Sequence, residues 1–88
     1  MKKEMSARNS TRFIQIGLNI TALREARGMS REELAERASV SGSLIRSIED
    51  PETVKSFSME VLYSIADALD INPSVLLEDA PASVQTGL

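Results

Sequence analysis

With 88 residues, 42% of them hydrophobic, the chain can bury one compact core and not two. It contains neither cysteine nor histidine, which excludes disulfides, thiolate metal sites and the commonest general base. The net charge of −3 hides a polarity. All ten lysines and arginines lie between Lys2 and Lys55, whereas from Ser56 onward there are five acids and no base, so only the first part of the chain is suited to face phosphate.

Residues 1–12, with Lys2, Lys3, Arg8 and Arg12, carry no apolar periodicity and are expected to form a flexible basic leader. From Phe13 a helical stripe runs through Ile16, Ile20, Leu23 and the stem of Arg27, and Gly28 ends it. Ser30, with Glu33 three residues on, has the pattern of a capping box and opens a second helix whose inward face is Leu34, Ala35 and Ala38. After the break at Ser39-Val40-Ser41, Ser41 caps a third helix that runs to Glu49, and Asp50-Pro51 stops it. Ser58 caps a fourth, with Met59, Leu62, Ile65, Ala66 and Leu69 as its core stripe. Asn72-Pro73 opens a short fifth that extends to Glu78. The expectation is an all-α, five-helix bundle over residues 13–78 with a disordered tail over 79–88. No apolar run approaches the ~18 residues that cross a bilayer and no signal peptide is evident, so the expected setting is cytoplasmic.

The informative stretch is Arg31 to Glu49, two short helices across a three-residue turn, which is a helix-turn-helix arrangement. In the third helix a rotation of about 100° per residue puts Leu44, Ile45 and Ile48 on one side, and Gly42, Ser43, Arg46 and Ser47 on the other. The second face is small and polar with one long cation, a shape that fits a major groove. Adjacent acids such as Glu32-Glu33 and Glu78-Asp79 do not face one another on a helix and suggest neither acid–base chemistry nor a metal site. No catalytic residue, metal or cofactor is expected.

The ordered set L-R-E-x-R-G-M-S, E-E-L-A, V-S, L-I-x-x-I-E and L-x-x-I-A-x-A-L, spread over Ile16 to Leu77, resembles the Cro/phage-repressor type of helix-turn-helix, the XRE family. The resemblance implies a transcriptional regulator, a repressor, that binds double-stranded operator DNA as a homodimer. It implies that the helix from Gly42 to Glu49 reads bases through Gly42, Ser43, Arg46 and Ser47, while Arg31, Ser41 and Lys55 anchor phosphates. It also implies a structural ion pair between Arg24 and Glu49. Ile71, Val75, Leu76 and Leu77 put more apolar surface on a short terminal helix than its own core contact needs, and Ile71, Val75 and Leu76 are expected at a dimer interface. Three positions depart from the usual pattern: Arg31 stands where glutamine is common, Ser39 where glycine is common, and Gly42-Ser43 where long polar residues are common. The short recognition side chains and the acidic end motivate an alternative from another class, a protein-interaction module such as an antitoxin or anti-repressor on the same fold.

Overall fold

The computed structural model describes residues 5–79, which contain five helices: α1 (Ala7–Ala26), α2 (Arg31–Ala38), α3 (Gly42–Glu49), α4 (Met59–Ala68) and α5 (Pro73–Leu76). Each starts on a small polar cap that satisfies an otherwise unpaired backbone N–H. Ser30, Ser41 and Ser58 accept from the amides of Glu33, Leu44 and Val61, and Asn72 accepts from Ser74. At Ser30 only half of the expected capping box forms. Glu33 turns its carboxylate to Arg37 one turn on, at 2.7 Å, instead of back to the cap.

Three helices end in one way. The amides of Met29, Val40 and Ile71 donate five residues back, to the carbonyls of Arg24, Ala35 and Ala66, at 3.0–3.1 Å. The residue before each donor is left-handed: Gly28 (φ 65°), Ser39 (φ 59°) and Asp70 (φ 58°). This Schellman closure places an apolar residue just past each end, where it folds back on the helix. Ser39 therefore makes the left-handed turn for which the resembled pattern commonly has glycine, and it carries the strain of a side chain there.

Two expected boundaries move. The first helix begins at Ala7, six residues before Phe13, because Ser6 accepts the Asn9 amide at 3.0 Å and caps a turn that carries no large apolar side chain. Residues 7–12 are thus helix and not flexible leader, and Arg8 and Arg12 ride on α1; Lys2 and Lys3 lie outside the described residues. The fifth helix stops at Leu76 instead of Glu78. Of the expected tail, 80–88 also lies outside the described residues.

The core gathers Ile20 from α1, Leu34 from α2, Ile45 from α3, Leu62 and Ile65 from α4, Leu69 and Leu76, all essentially inaccessible. α2 packs against α3 and α4, while α1 crosses α3 and touches α5. Met59 was expected in the core stripe of α4 but is 53% exposed at the start of that helix, a turn before the stripe reaches the interior. Phe13 and Phe57 meet edge-to-face, with ring centroids 5.1 Å apart, and close the gap between α1 and the α3–α4 loop.

Two contacts on α1 fix the frame and have no counterpart in the apolar pattern. At Gly17 a Cβ would lie 2.1 Å from the Ile48 carbonyl oxygen, so α1 crosses the end of α3 backbone to backbone. Two residues on, the buried Asn19 amide donates to the carbonyls of Leu76 and Glu78 at 3.0 and 2.8 Å and accepts from Gln15. Those bonds tie the end of α5 to α1. Arg27 similarly donates through Nε to the Leu69 carbonyl and joins the ends of α1 and α4.

Candidate nucleic-acid interface

α3 is two turns long and is anchored by Ile45 and Ile48, with Leu44 half-buried. On its opposite face Ser43 and Arg46 are exposed and Gly42 and Ser47 are partly exposed. Arg46 makes no ion pair with any described residue. Gly42 differs from Gly17, because a Cβ there would meet no atom within 4 Å. No described residue demands glycine at the start of α3; its effect is to leave that end of the helix without a side chain. Ser41 caps the helix by accepting the Leu44 amide at 3.0 Å, and its oxygen lies 3.3 Å from the Ser43 hydroxyl. The structure thus brings Ser41, Gly42, Ser43, Arg46 and Ser47 together on one polar surface.

Behind α3 lies a three-residue ion cluster. Glu49, whose side chain is wholly buried, accepts from Arg24 Nε at 2.8 Å and Arg24 Nη2 at 3.0 Å. Arg24 also donates through Nη1 to the Met29 carbonyl at 2.7 Å. The expected Arg24–Glu49 pair is present and bidentate, a geometry that compensates buried charge well. Hydrogen bonding to Glu49 raises the Arg24 pKa against the opposing effect of burial. The third member is Arg31, which donates through Nε to Glu49 Oε1 at 2.9 Å. A cation at the start of a helix opposes the helix dipole, and the Glu49 carboxylate offsets that cost. Apolar spacing carries no sign of this pairing, since 18 residues separate Arg31 from Glu49.

Past α3, Asp50 organises the loop. Its carboxylate accepts the Glu52 amide at 3.0 Å and the Thr53 hydroxyl at 2.9 Å. These bonds, and then the charge of Arg31, hold the Asp50 pKa below the ordinary aspartate value. Lys55 is exposed in the same loop. Among the described residues no cluster of acidic, histidine or cysteine side chains has the arrangement to hold a metal ion, and no helix is long and apolar enough to cross a membrane.

Two short helices at a fixed angle, joined by a tight left-handed turn with the second helix bare on its outer face, define a helix-turn-helix domain. The pattern of that family matches residues 15–79, and the chain belongs to it. Two solved structures are similar. One is the restriction-modification controller protein C.AhdI from Aeromonas hydrophila, with 30% identity over 73% of this chain and 94% of that one and a TM-score of 0.68. The other is the N-terminal DNA-binding domain of SinR from Bacillus subtilis, with 34% identity over 73% and 91% and a TM-score of 0.66. No curated protein matches the chain. The fold and the family expected from the motifs, a regulator-type helix-turn-helix bundle, are thereby borne out.

Of the residues expected at a dimer interface, Leu76 is buried in its own protomer's core and is withdrawn from that role. The side chain that α5 leaves outside is the next one, Leu77, 56% exposed. Ile71 and Val75 are partly buried against the core.

Proposed function

We propose that this chain is a sequence-specific DNA-binding regulator, a transcriptional repressor of the cytoplasm without catalytic activity, that binds operator DNA as a homodimer. The observation that carries the reading is the outer face of α3, which is small, polar and at least partly exposed, and carries an Arg46 that pairs with no described residue. Gly42, Ser43 and Ser47 let the helix approach base edges closely, and Arg46 is the one long donor that can pair with a guanine through two bonds. In this reading Arg31, Ser41 and Lys55 serve the phosphates. Similarity to C.AhdI, a controller protein, and to the DNA-binding domain of SinR supports the reading.

The test is selection of binding sites from random duplex, followed by salt titration. A palindromic consensus and a steep fall of affinity with salt are expected. Arg46→Ala should cost on the order of 1–3 kcal/mol and relax base choice at one position; unchanged operator affinity would refute its role in readout. For the dimer, the apolar side chains of Ile71, Val75 and Leu77 are the candidates, and a strictly monomeric protein that binds without cooperativity would exclude it.

A second reading has one observation in its favour. A shallow apolar groove between α1, α4 and α5, lined by Phe13, Ile16, Phe57, Met59, Leu62 and Leu77, suits a protein partner. An antitoxin or anti-repressor of that kind would show no salt-dependent duplex binding.

A further inference from the structure

Arg24 and Arg31 share one carboxylate but are held very differently. Arg24 is consumed by the fold: its side chain is 8% exposed, and Nε, Nη1 and Nη2 all have partners in the interior. That pairing already neutralises Glu49. The second cation is surplus to it, and Arg31 sits at the first position of α2, where the helix dipole disfavours positive charge. Its side chain remains 47% exposed, and among the described residues the Nε bond to Glu49 is its one hydrogen bond. A guanidinium gripped at Nε has its plane fixed, and both terminal nitrogens still have N–H groups to donate.

We propose that Glu49 is a positioning residue for DNA binding, which clamps Arg31 by Nε so that its terminal nitrogens are presented to a backbone phosphate beside the start of α2. The inference rests on the DNA-binding reading above and deepens it. The acids around Arg31 fit this arrangement. Asp50 lies within Coulombic reach, but both of its oxygens are already engaged by Glu52 and Thr53, so they do not claim the arginine. Glu25 approaches Arg24, at 3.9 Å, and Glu32 is exposed on α2. Fixing the guanidinium in advance removes ordering entropy that a free side chain would lose on contact with DNA. It also links the phosphate anchor to the recognition helix, because Glu49 is the last residue of α3. The register of Arg46 on the bases and of Arg31 on the backbone are then set by one carboxylate.

The experiment uses duplex selected by the parent protein and measures affinity across a salt series for Arg31→Ala, Glu49→Gln, the double variant and Arg31→Lys, with thermal melts to confirm folding. Arg31→Ala is expected to weaken binding to all sequences alike and to reduce the salt slope by about 1. Glu49→Gln should lower affinity at least about threefold in the parent and cause no further loss in the Arg31→Ala background. A purely structural glutamate would give the same loss in both backgrounds, and that additive result, or no loss at all, overturns the proposal while leaving DNA binding intact. If Glu49→Gln fails to fold, Arg31→Lys carries the test, since it keeps the charge and the Arg24–Glu49 pair but lacks the fork. A clear loss of affinity with the salt slope retained supports the clamp, and parent-level affinity overturns it. Failure of the parent to select any duplex overturns the DNA-binding reading and this role together.

Discussion

Gly17→Ala is the most discriminating probe of the frame that holds α3. In the middle of a helix this exchange ordinarily stabilises by about 1 kcal/mol, because alanine restricts the unfolded chain and favours the helix. Here the added methyl would lie 2.1 Å from the Ile48 carbonyl oxygen and 3.2 Å from its carbon. To restore even a tight 3.0 Å contact, α1 and α3 must part by roughly 1 Å, which forfeits a quarter to a half of the dispersion attraction between the atoms that face each other. The obstacle is backbone near the end of a helix, so no rotamer change relieves it. Such overpacking costs about 1–3 kcal/mol, at the upper end where the neighbour cannot yield. The same separation stretches the Arg24–Glu49 bonds, which join the same two helices at 2.8 and 3.0 Å. The expected net loss is about 2 kcal/mol, large against the stability of a domain this size. With a urea slope of roughly 1 kcal/mol per M, the unfolding midpoint should fall by about 2 M. Gly42→Ala, where a Cβ meets nothing, is the control and should stay within about 0.5 kcal/mol of the parent. A Gly17→Ala protein as stable as the parent would refute the close crossing.

Asn19→Ala leaves the carbonyls of Leu76 and Glu78 without their shared donor; a loss of about 2 kcal/mol is expected, with faster amide exchange over α5 than elsewhere. Unchanged exchange there would show that α5 is held by Leu76 alone. Ser39→Gly relieves a left-handed side-chain residue and should stabilise by up to about 1 kcal/mol, or roughly 4–8 °C in Tm for each kcal/mol. A lowered Tm would mean that the serine's restriction of the unfolded chain outweighs its strain. Asp50 should titrate below the 3.8 of an unperturbed aspartate in an NMR pH series. Because its folded pKa is depressed, its contribution is complete above that value and is lost as pH falls through the folded one. Titration at or above 3.8 would remove the Glu52 and Thr53 bonds as its cause.

The apolar spacing was enough to read α2, α3 and α4 from the sequence, since each buries a stripe and starts on a serine. It missed the first turns of α1, because Arg8 to Arg12 are helical through the Ser6 cap and not through any buried face. It placed Met59 inside, because spacing gives the direction of a side chain but not whether the helix has yet reached the core at that point. Leu76 and Leu77 illustrate the same limit: adjacent residues at the end of a short helix point apart, and only the packing shows which one is inside. Gly17 and Asn19 left no mark on the pattern at all. Their roles depend on backbone contacts with Ile48, Leu76 and Glu78, which are distant in sequence. The apolar residue that follows each left-handed position, Met29, Val40 and Ile71, was a readable signal for three helix ends even where glycine was absent.

The small face of α3 and the tightly bonded frame behind it answer one physical demand. On the proposed DNA-binding reading, long side chains at the start of a recognition helix could adjust to bases from a loosely held helix, whereas Gly42 and Ser43 are too short to do so. A short face reads DNA only if the helix itself is brought close and kept in register, so tolerance for error moves from the side chains to the scaffold. The scaffold around α3 matches that demand: Gly17 admits α1 against the Ile48 backbone, and Glu49 is fixed by a bidentate arginine. A second arginine, Arg31, extends the same cluster toward the surface. In this view bare residues on the outer face and an over-determined inner face are complementary requirements. Loosening the inner face by Gly17→Ala should then weaken specific binding more than nonspecific binding, because phosphate contacts tolerate small displacements that base-edge contacts do not.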